Sequence, residues 1–379
     1  MGKTFDVVVI GAGFAGAATA YSLVRAGCGN VVVLEREAQP GLHASGRSAG
    51  LVRRATEDPE LAPLAREGAD EIVQIGVPFR RSGSILIGAE SEIPSEVRAN
   101  RAHRKISGRS VTERVPLLDG AEVGGAIETP DDGVVDTTAF LGGLLREVRR
   151  SGGVVRYGVE AQAPRGETRL EGVETSDGFV AAKACVVAQG AWAAEWGTHA
   201  GLGVRLTPYR RHLTVTSLPK GVTQAQAADW PWVWDLERKF YFRPHRVAPG
   251  QLGLLWCSCD HDEDSPGHCS ARRSAPEQLA ERIAKWLPAI REIEVLRYWA
   301  GHRTFAPDHR FLLGADPRCE GLHWAVALGG HGVTAALSAG RRVAESVLSG
   351  QSPEPAIAFR PAVDSSSIGD SAAEGASPR

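Results

Sequence analysis

The sequence predicts an α/β chain, α+β overall, in which a Rossmann-type dinucleotide-binding domain is interleaved with a second domain built on an antiparallel sheet. Three observations carry this. Residues 6–10 form a β-branched run that stops at Gly11, residues 14–26 are small and apolar, and residues 31–34 form a second β-branched run ending at Glu35. Strand, turn, helix and strand in that order make a βαβ unit, whose crossover leaves its strands parallel. The pattern returns later in the chain. An amphipathic helix over 137–150 ends at Gly152 and Gly153 and precedes a strand over 154–159. A strand over 184–188 leads into Gln189, Gly190 and a helix around Trp192 and Trp196, and a strand over 323–328 leads through a glycine-rich loop into a helix over 336–347. Residues 79–132 and 209–299 instead alternate with period two, which marks half-buried antiparallel strands. The resulting assignment is a discontinuous nucleotide domain over 1–78, 133–208 and 300–355, a substrate domain over 79–132 and 209–299, and a flexible tail over 356–379 rich in Ser, Ala and Gly.

Composition narrows the function. Lys plus Arg number 43 against 45 Asp plus Glu, a net charge of −2, which gives no pull toward nucleic acid or anionic lipid. No apolar run approaches the roughly 20 residues of a membrane span. The six cysteines are scattered, and the chain enters a strand directly without a basic leader, so a soluble protein of the reducing cytoplasm is expected. Small-molecule chemistry follows.

Gly11-Ala12-Gly13-Phe14-Ala15-Gly16 is a complete G-x-G-x-x-G between strand and helix. Gly11 permits the tight turn, Gly13 admits a pyrophosphate to the helix N-terminus, and Gly16 lets helix and strand pack closely. Glu35, followed by Arg36, closes the second strand where a carboxylate accepts hydrogen bonds from ribose hydroxyls, and its charge would repel a 2′-phosphate. Downstream lie a polar, small-residue loop, His43-Ala44-Ser45-Gly46-Arg47-Ser48-Ala49-Gly50, and the late loop Gly329-Gly330-His331-Gly332-Val333.

These segments together resemble the D-amino acid oxidase superfamily of FAD-dependent oxidoreductases, the glycine oxidase, sarcosine oxidase and D-amino acid dehydrogenase group, over about residues 5–350. Residues 31–50 are most similar to the D-arginine dehydrogenase branch. The resemblance implies FAD as cofactor, with Ser45, Gly46, Arg47, Ser48, Ala49 and Gly50 along the flavin and pyrophosphate, Val159 on the adenine side, and Gly190 and Trp192 nearby. It implies that Gly329, Gly330, His331, Gly332, Val333 and Thr334 turn backbone amides toward the flavin ring, where they would stabilise the charge gained on reduction. Sarcosine oxidases hold their flavin through a cysteine just before this loop. Gly301 stands near that position, so non-covalent FAD is expected.

By the same resemblance Arg303 clamps the substrate carboxylate, Arg211 is its partner, and Tyr241 helps to hold the substrate. Guanidinium groups suit the task because two parallel N–H donors meet a carboxylate and stay charged at any working pH. Lys239, Tyr241 and Arg243 share one strand face, opposite Phe240 and Phe242. Arg53 stands close to a substrate-carboxylate arginine of sarcosine oxidases, and with Arg211 and Arg303 it suggests a substrate with two anionic groups or a short one held at one end. Arg210, Arg54 and Arg310 read as solvated surface residues. The acid, histidine and tyrosine that read D-arginine are replaced by Ser84, Leu51 and Thr56, which argues against that substrate.

The implied reaction is hydride transfer from the α-carbon of a small amino or imino acid, a D-amino acid favoured, to flavin N5, with the imino acid hydrolysed to a keto acid. Electrons pass to a quinone, a carrier or O2. The lysine that promotes oxygen reaction in sarcosine oxidases has no counterpart in Gly253-Leu254-Leu255-Trp256, which favours a dehydrogenase. An oxidase of a secondary amine, or a non-catalytic FAD-binding subunit, are the alternatives. His43 and His331 read as structural hydrogen-bonding groups, Cys257-x-Cys259 with neighbouring histidines as a polar strand end rather than a metal site, and Trp230, Trp232 and Trp234 as strand core packing.

Overall fold

A computed structural model describes residues 4–88 and 93–360. The first strand (β1, Phe5–Ile10) and the second (β2, Val31–Glu35) run parallel, joined by helix α1 (Phe14–Arg25). They sit at the centre of an eight-stranded sheet. Strand Gly178–Val187 pairs parallel to β1, and Val154–Tyr157 pairs parallel to β2. Leu322–Val326 pairs parallel to Gly178–Val187 on its other side. The three expected returns to one sheet are thus all present. Leu322–Val326 and the end of Gly178–Val187 are buried on both faces, while Val154–Tyr157 at the sheet edge is only half-buried.

Helix α1 is composed of small residues for a packing reason. The last helix, Ala336–Ser349, crosses it so closely that a Cβ on Gly340 would lie 2.6 Å from the Ala18 carbonyl carbon and 2.7 Å from the Thr19 nitrogen. Phe14 reaches the expected helix Thr137–Arg150, its ring 5.0 Å from that of Phe140. Asp136 caps this helix by accepting the Ala139 N–H at 2.9 Å.

The second sheet has nine strands and is antiparallel except where Trp232–Asp235 runs parallel to Ser84–Ile87. Thr207–Thr216 lies between Gln251–Cys257 and Val295–Phe305, and Phe240–Ala248 pairs with Gln251–Cys257. Phe240 and Phe242 face a closed core with Trp256, as the alternation predicts. A small third sheet joins Leu51–Val52, Gly133–Val135 and Phe79–Arg80.

Two expectations need correction. A boundary at residue 300 falls inside the continuous strand Val295–Phe305, which belongs wholly to the second sheet. The tail placed from 356 includes Ile357 and Phe359, which are buried, with Phe359 stacked 5.1 Å from Trp324 and Ala358 bridged to Leu313. Two large apolar side chains set among alanines and prolines are enough to dock the segment. Residues 361–379 of that tail lie outside the described residues.

Gly340→Ala should cost about 1–3 kcal/mol by forcing the two helices apart. Gly142→Ala, at a half-buried helix position where the new methyl meets only the Arg146 guanidinium tip at 3.2 Å, should gain about 0.5–1 kcal/mol. Urea unfolding of both variants checks the contrast, and equal responses would contradict the packing account.

Candidate cofactor and substrate site

At the carboxyl ends of the parallel strands lies one continuous cavity of about 480 Å³. Its walls include Gly11, Gly13, Phe14 and Ala15 from the glycine turn, Glu35 and Arg36 from β2, Ser45 and Ser48, Val159, Gly190 and Trp192, and, at the far end, Arg303, Gly329, Gly330, Gly332 and Val333. The glycines are required here. Gly11 has φ +102° and a Cβ on it would lie 2.6 Å from the Ala188 carbonyl oxygen; one on Gly16 would lie 2.0 Å from the Gly11 oxygen. Glu35 holds the turn directly, accepting the Ala12 N–H at 2.8 Å and the Glu37 N–H at 3.0 Å.

The cavity carries unmet polar groups of both signs. Gln189 Oε1 and Trp196 Nε1 are buried without a partner among the described residues, and both residues line the wall. The amides of Gly13 and Ala15 at the start of α1, and of Gly330, Gly332 and Val333 in the late loop, make no backbone hydrogen bond among the described residues. The buried Gln189 and Trp196 atoms call for a bound polar partner, and an elongated dinucleotide with a pyrophosphate near the free amides of the α1 N-terminus fits them. Trp192 is enclosed in the same wall between the Arg36 guanidinium, 3.9 Å above its ring, and His43, 4.6 Å away.

Several residues expected on the cofactor do other work. Gly46 packs against the Gly41 backbone, where a Cβ would lie 1.9 Å from a carbonyl oxygen, and Gly50 takes φ +70° against Val135. Arg47 points away from the cavity and donates to the carbonyls of Leu42, Cys269 and Ala300, while its own carbonyl accepts the Trp299 indole N–H at 3.1 Å. Ala49 is buried and accepts from Arg243 Nε at 2.8 Å. The His331 amide closes a turn onto Leu328, and its imidazole accepts from Arg53 at 3.0 Å; burial, reinforced by Arg53, pushes that imidazole down to about 4. Thr334 Oγ1 accepts the Arg53 N–H at 3.2 Å.

Register sorts the substrate candidates. Arg211 lies opposite Gly301, and Tyr209 opposite Arg303, so Arg211 and Arg303 are diagonal neighbours on one sheet face. Leu213 aligns with Cys257, Cys257 with Tyr241, and Tyr241 with Trp234, which puts Tyr241 on that face too. Neither Arg211 nor Arg303 has a carboxylate partner among the described residues, and Arg211 Nε is buried without any partner. Burial opposes charge on Arg211, but nearby Cys259, Cys257 and the Tyr241 hydroxyl outweigh it and hold the guanidinium firmly charged.

Arg210, Arg310, Arg54 and Arg53 each meet a carboxylate. Arg210 faces the opposite way and is bidentate to Asp264 at 3.0 and 2.7 Å. Arg310 pairs with Asp58, and Arg54, far from being a surface residue, is buried between Asp70 and Asp132. Arg53 is also buried and is not a free clamp. It is bidentate to Glu57 at 2.8 and 2.6 Å, donates to His331, and covers the Trp234 ring at 4.5 Å. An arginine already matched to a carboxylate four residues away has little left for a substrate. Trp230 and Trp232 are core residues as expected, while half-buried Trp234 packs against Tyr241 at 5.2 Å. The sequence set Gln189 and Trp196 only in a predicted turn and helix and placed Arg243 on the polar strand face by alternation, without a role for any of them, since none lies in a spaced motif.

A match to the family model described as FAD dependent oxidoreductase spans residues 6–346, and the chain belongs to that family. The chain is 26% identical over 392 residues to mitochondrial dimethylglycine dehydrogenase of Rattus norvegicus, covering 94% of this chain and 44% of that protein. It thus spans less than half the length of the curated relatives it first matches. Glycine oxidase of Geobacillus kaustophilus is 24% identical over 370 residues, covering 92% of this chain and 94% of the relative. Among solved structures, L-proline dehydrogenase from P. horikoshii superposes with TM-score 0.80 at 20% identity over 94% of this chain and 96% of that one. Iminodiacetate oxidase from Chelativorans sp. BNC1 does so with TM-score 0.77 at 23% identity, over 94% and 100%. No helix among the described residues is long and apolar enough to cross a membrane.

Behind the clamp, Asp264 binds Arg210 and His302. Burial pushes its carboxyl up, but those two hydrogen bonds outweigh burial and hold it at about 2, below the ordinary 3.8. The stabilisation is therefore complete above about pH 4 and is lost as pH falls toward 2. Thermal unfolding of Asp264→Asn should show its full deficit at pH 6 and a shrinking one below pH 4. A deficit independent of pH would contradict this reading.

Proposed function

We propose that the protein oxidises the C–N bond of a small amino or imino acid, holding the substrate carboxylate between Arg303, Arg211 and Tyr241. The observation that supports this most strongly is the pair of un-neutralised guanidinium groups on one sheet face, with Arg303 also in the wall of the cofactor cavity. Bound FAD would accept the hydride released as the C–N bond becomes an imine. The chain's own residues bind and orient: two planar donor forks fix the carboxylate, and Tyr241 and half-buried Trp234 wall the space beside it. The free amides of Gly330, Gly332 and Val333 would hold the flavin ring and stabilise the negative charge it gains on reduction. No residue among the described ones is proposed as a dedicated base, and the substrate amine is proposed to react in its neutral form.

FAD is proposed to dissociate. The position where a cysteine would attach it is Gly301, pressed against Arg47. Strand Gln251–Cys257 carries no lysine and its Trp256 is buried in the core, which favours a quinone or protein carrier over O2 as acceptor. A cytoplasmic enzyme acting on a D-amino acid is one reading of the substrate. A second, an N-methylated or unbranched amino acid, is favoured by relatives named for dimethylglycine, sarcosine and glycine.

Anaerobic bleaching of the flavin by a panel of D-, L- and N-methyl amino acids tests the proposal and separates the two readings. Arg303→Ala should lower kcat/KM by about 10²-fold, since each charge-assisted hydrogen bond is worth about 1.5–3 kcal/mol and the two are only partly additive. Bleaching by amines lacking a carboxylate as readily as by amino acids would contradict it.

A further inference from the structure

The pair Cys257 and Cys259 lies on the clamp face, although its spacing reads in the sequence as a mere strand end. Cys257 is fully buried between Leu213 and Tyr241. Cys259, partly exposed, follows in a left-handed turn (φ +46°) that returns its N–H to Cys257 Sγ at 3.3 Å. Arg211 is two residues before Leu213 on the neighbouring antiparallel strand, hence on the same face and beside both thiols. It has no carboxylate partner among the described residues, unlike Arg53, Arg54, Arg210 and Arg310. A guanidinium whose Nε is buried without a partner is costly unless a counter-group stands close by.

We propose that Cys257 and Cys259 together serve as the resident counter-group of Arg211, and that an incoming substrate carboxylate displaces them, with one proton taken up by the pair as it binds. The inference rests on the reading of Arg211 as a carboxylate clamp and adds a proton-linked step to it.

The balance is simple. Before binding, one thiolate faces Arg211; afterwards the carboxylate does, and the sulfur carries a proton. Other groups facing the pair are Tyr241, Arg303, Arg282, which donates to the Ser258 carbonyl, and Asp260, which is held by His212 and Ser258. None of these is a free acid. Burial raises both thiols, but the Cys259 contact, Arg211 and Tyr241 bring Cys257 down to about 6, while burial and Cys257 drive Cys259 up. The pair therefore gives up one proton readily and keeps the second.

Titration of the holoenzyme with propionate, a carboxylate without an amine, followed by flavin difference absorption between pH 5.5 and 8.5, tests this. In the wild type Kd should rise with pH, by up to tenfold per unit once the pair ionises. In the doubly substituted variant carrying Cys257→Ser and Cys259→Ser it should stay flat. Calorimetry of wild-type binding in buffers of different ionisation enthalpy should show uptake approaching one proton at pH 8, a readout that needs no variant to fold. Binding with no pH dependence and no proton uptake, or equal slopes in wild type and variant, would overturn the thiol inference and leave the clamp standing. Propionate that fails to bind at any pH would overturn the clamp reading and this one with it.

Discussion

The loop over residues 43–50 is bonded from both sides, and the relation between cofactor and substrate sites depends on it. Ser45 Oγ accepts the Phe14 N–H at 2.9 Å, tying the loop to the start of α1. On the far side Arg243, buried in the second sheet with no acid partner among the described residues, donates to the Ala49 carbonyl at 2.8 Å, while Arg47 reaches Cys269 and Ala300. The glycine turn and the strand bearing Arg303 are thereby fixed to the same eight residues. Charged donors satisfying carbonyls in a dry interface are expensive to break. The spacing between the dinucleotide cavity and the clamp is consequently set by short, buried bonds rather than by a hinge.

Charge neutralisation distinguishes the arginines better than position does. Arg53, Arg54, Arg210 and Arg310 each meet a carboxylate from their own chain and so stabilise the fold. Arg211 and Arg303 meet no carboxylate among the described residues. Adjacent positions such as Arg210 and Arg211 have opposite fates because the strand period of two sends them to opposite faces. One face is supplied with Asp264 and His302, the other with thiols and a phenol.

Much of this was legible in the sequence. β1, the glycine turn, α1 and β2 appear where the β-branched runs and Gly11-x-Gly13-x-x-Gly16 place them, because burial on both faces of a parallel sheet leaves a continuous apolar signature. The helix Thr137–Arg150 and the polar face of Tyr241 and Arg243 were readable for the same reason of periodicity. The engagement of Arg53 by Glu57 was not, since an i,i+4 ion pair and a free clamp have the same composition until the surrounding groups are known. The docking of Ile357 and Phe359 was hidden because two large apolar residues in a short Pro- and Ala-rich stretch form no readable period, and the place of the two cysteines by a turn whose left-handed Cys259 no local pattern announces.

A crystal structure of the holoenzyme with a small carboxylate bound tests the central claim most directly. The account predicts FAD along the cavity from Val159 to Gly330, with the carboxylate within hydrogen-bonding distance of both Arg303 and Arg211 and Arg53 still bound to Glu57. A carboxylate seated on Arg53, or on the sheet face of Arg210, would contradict it.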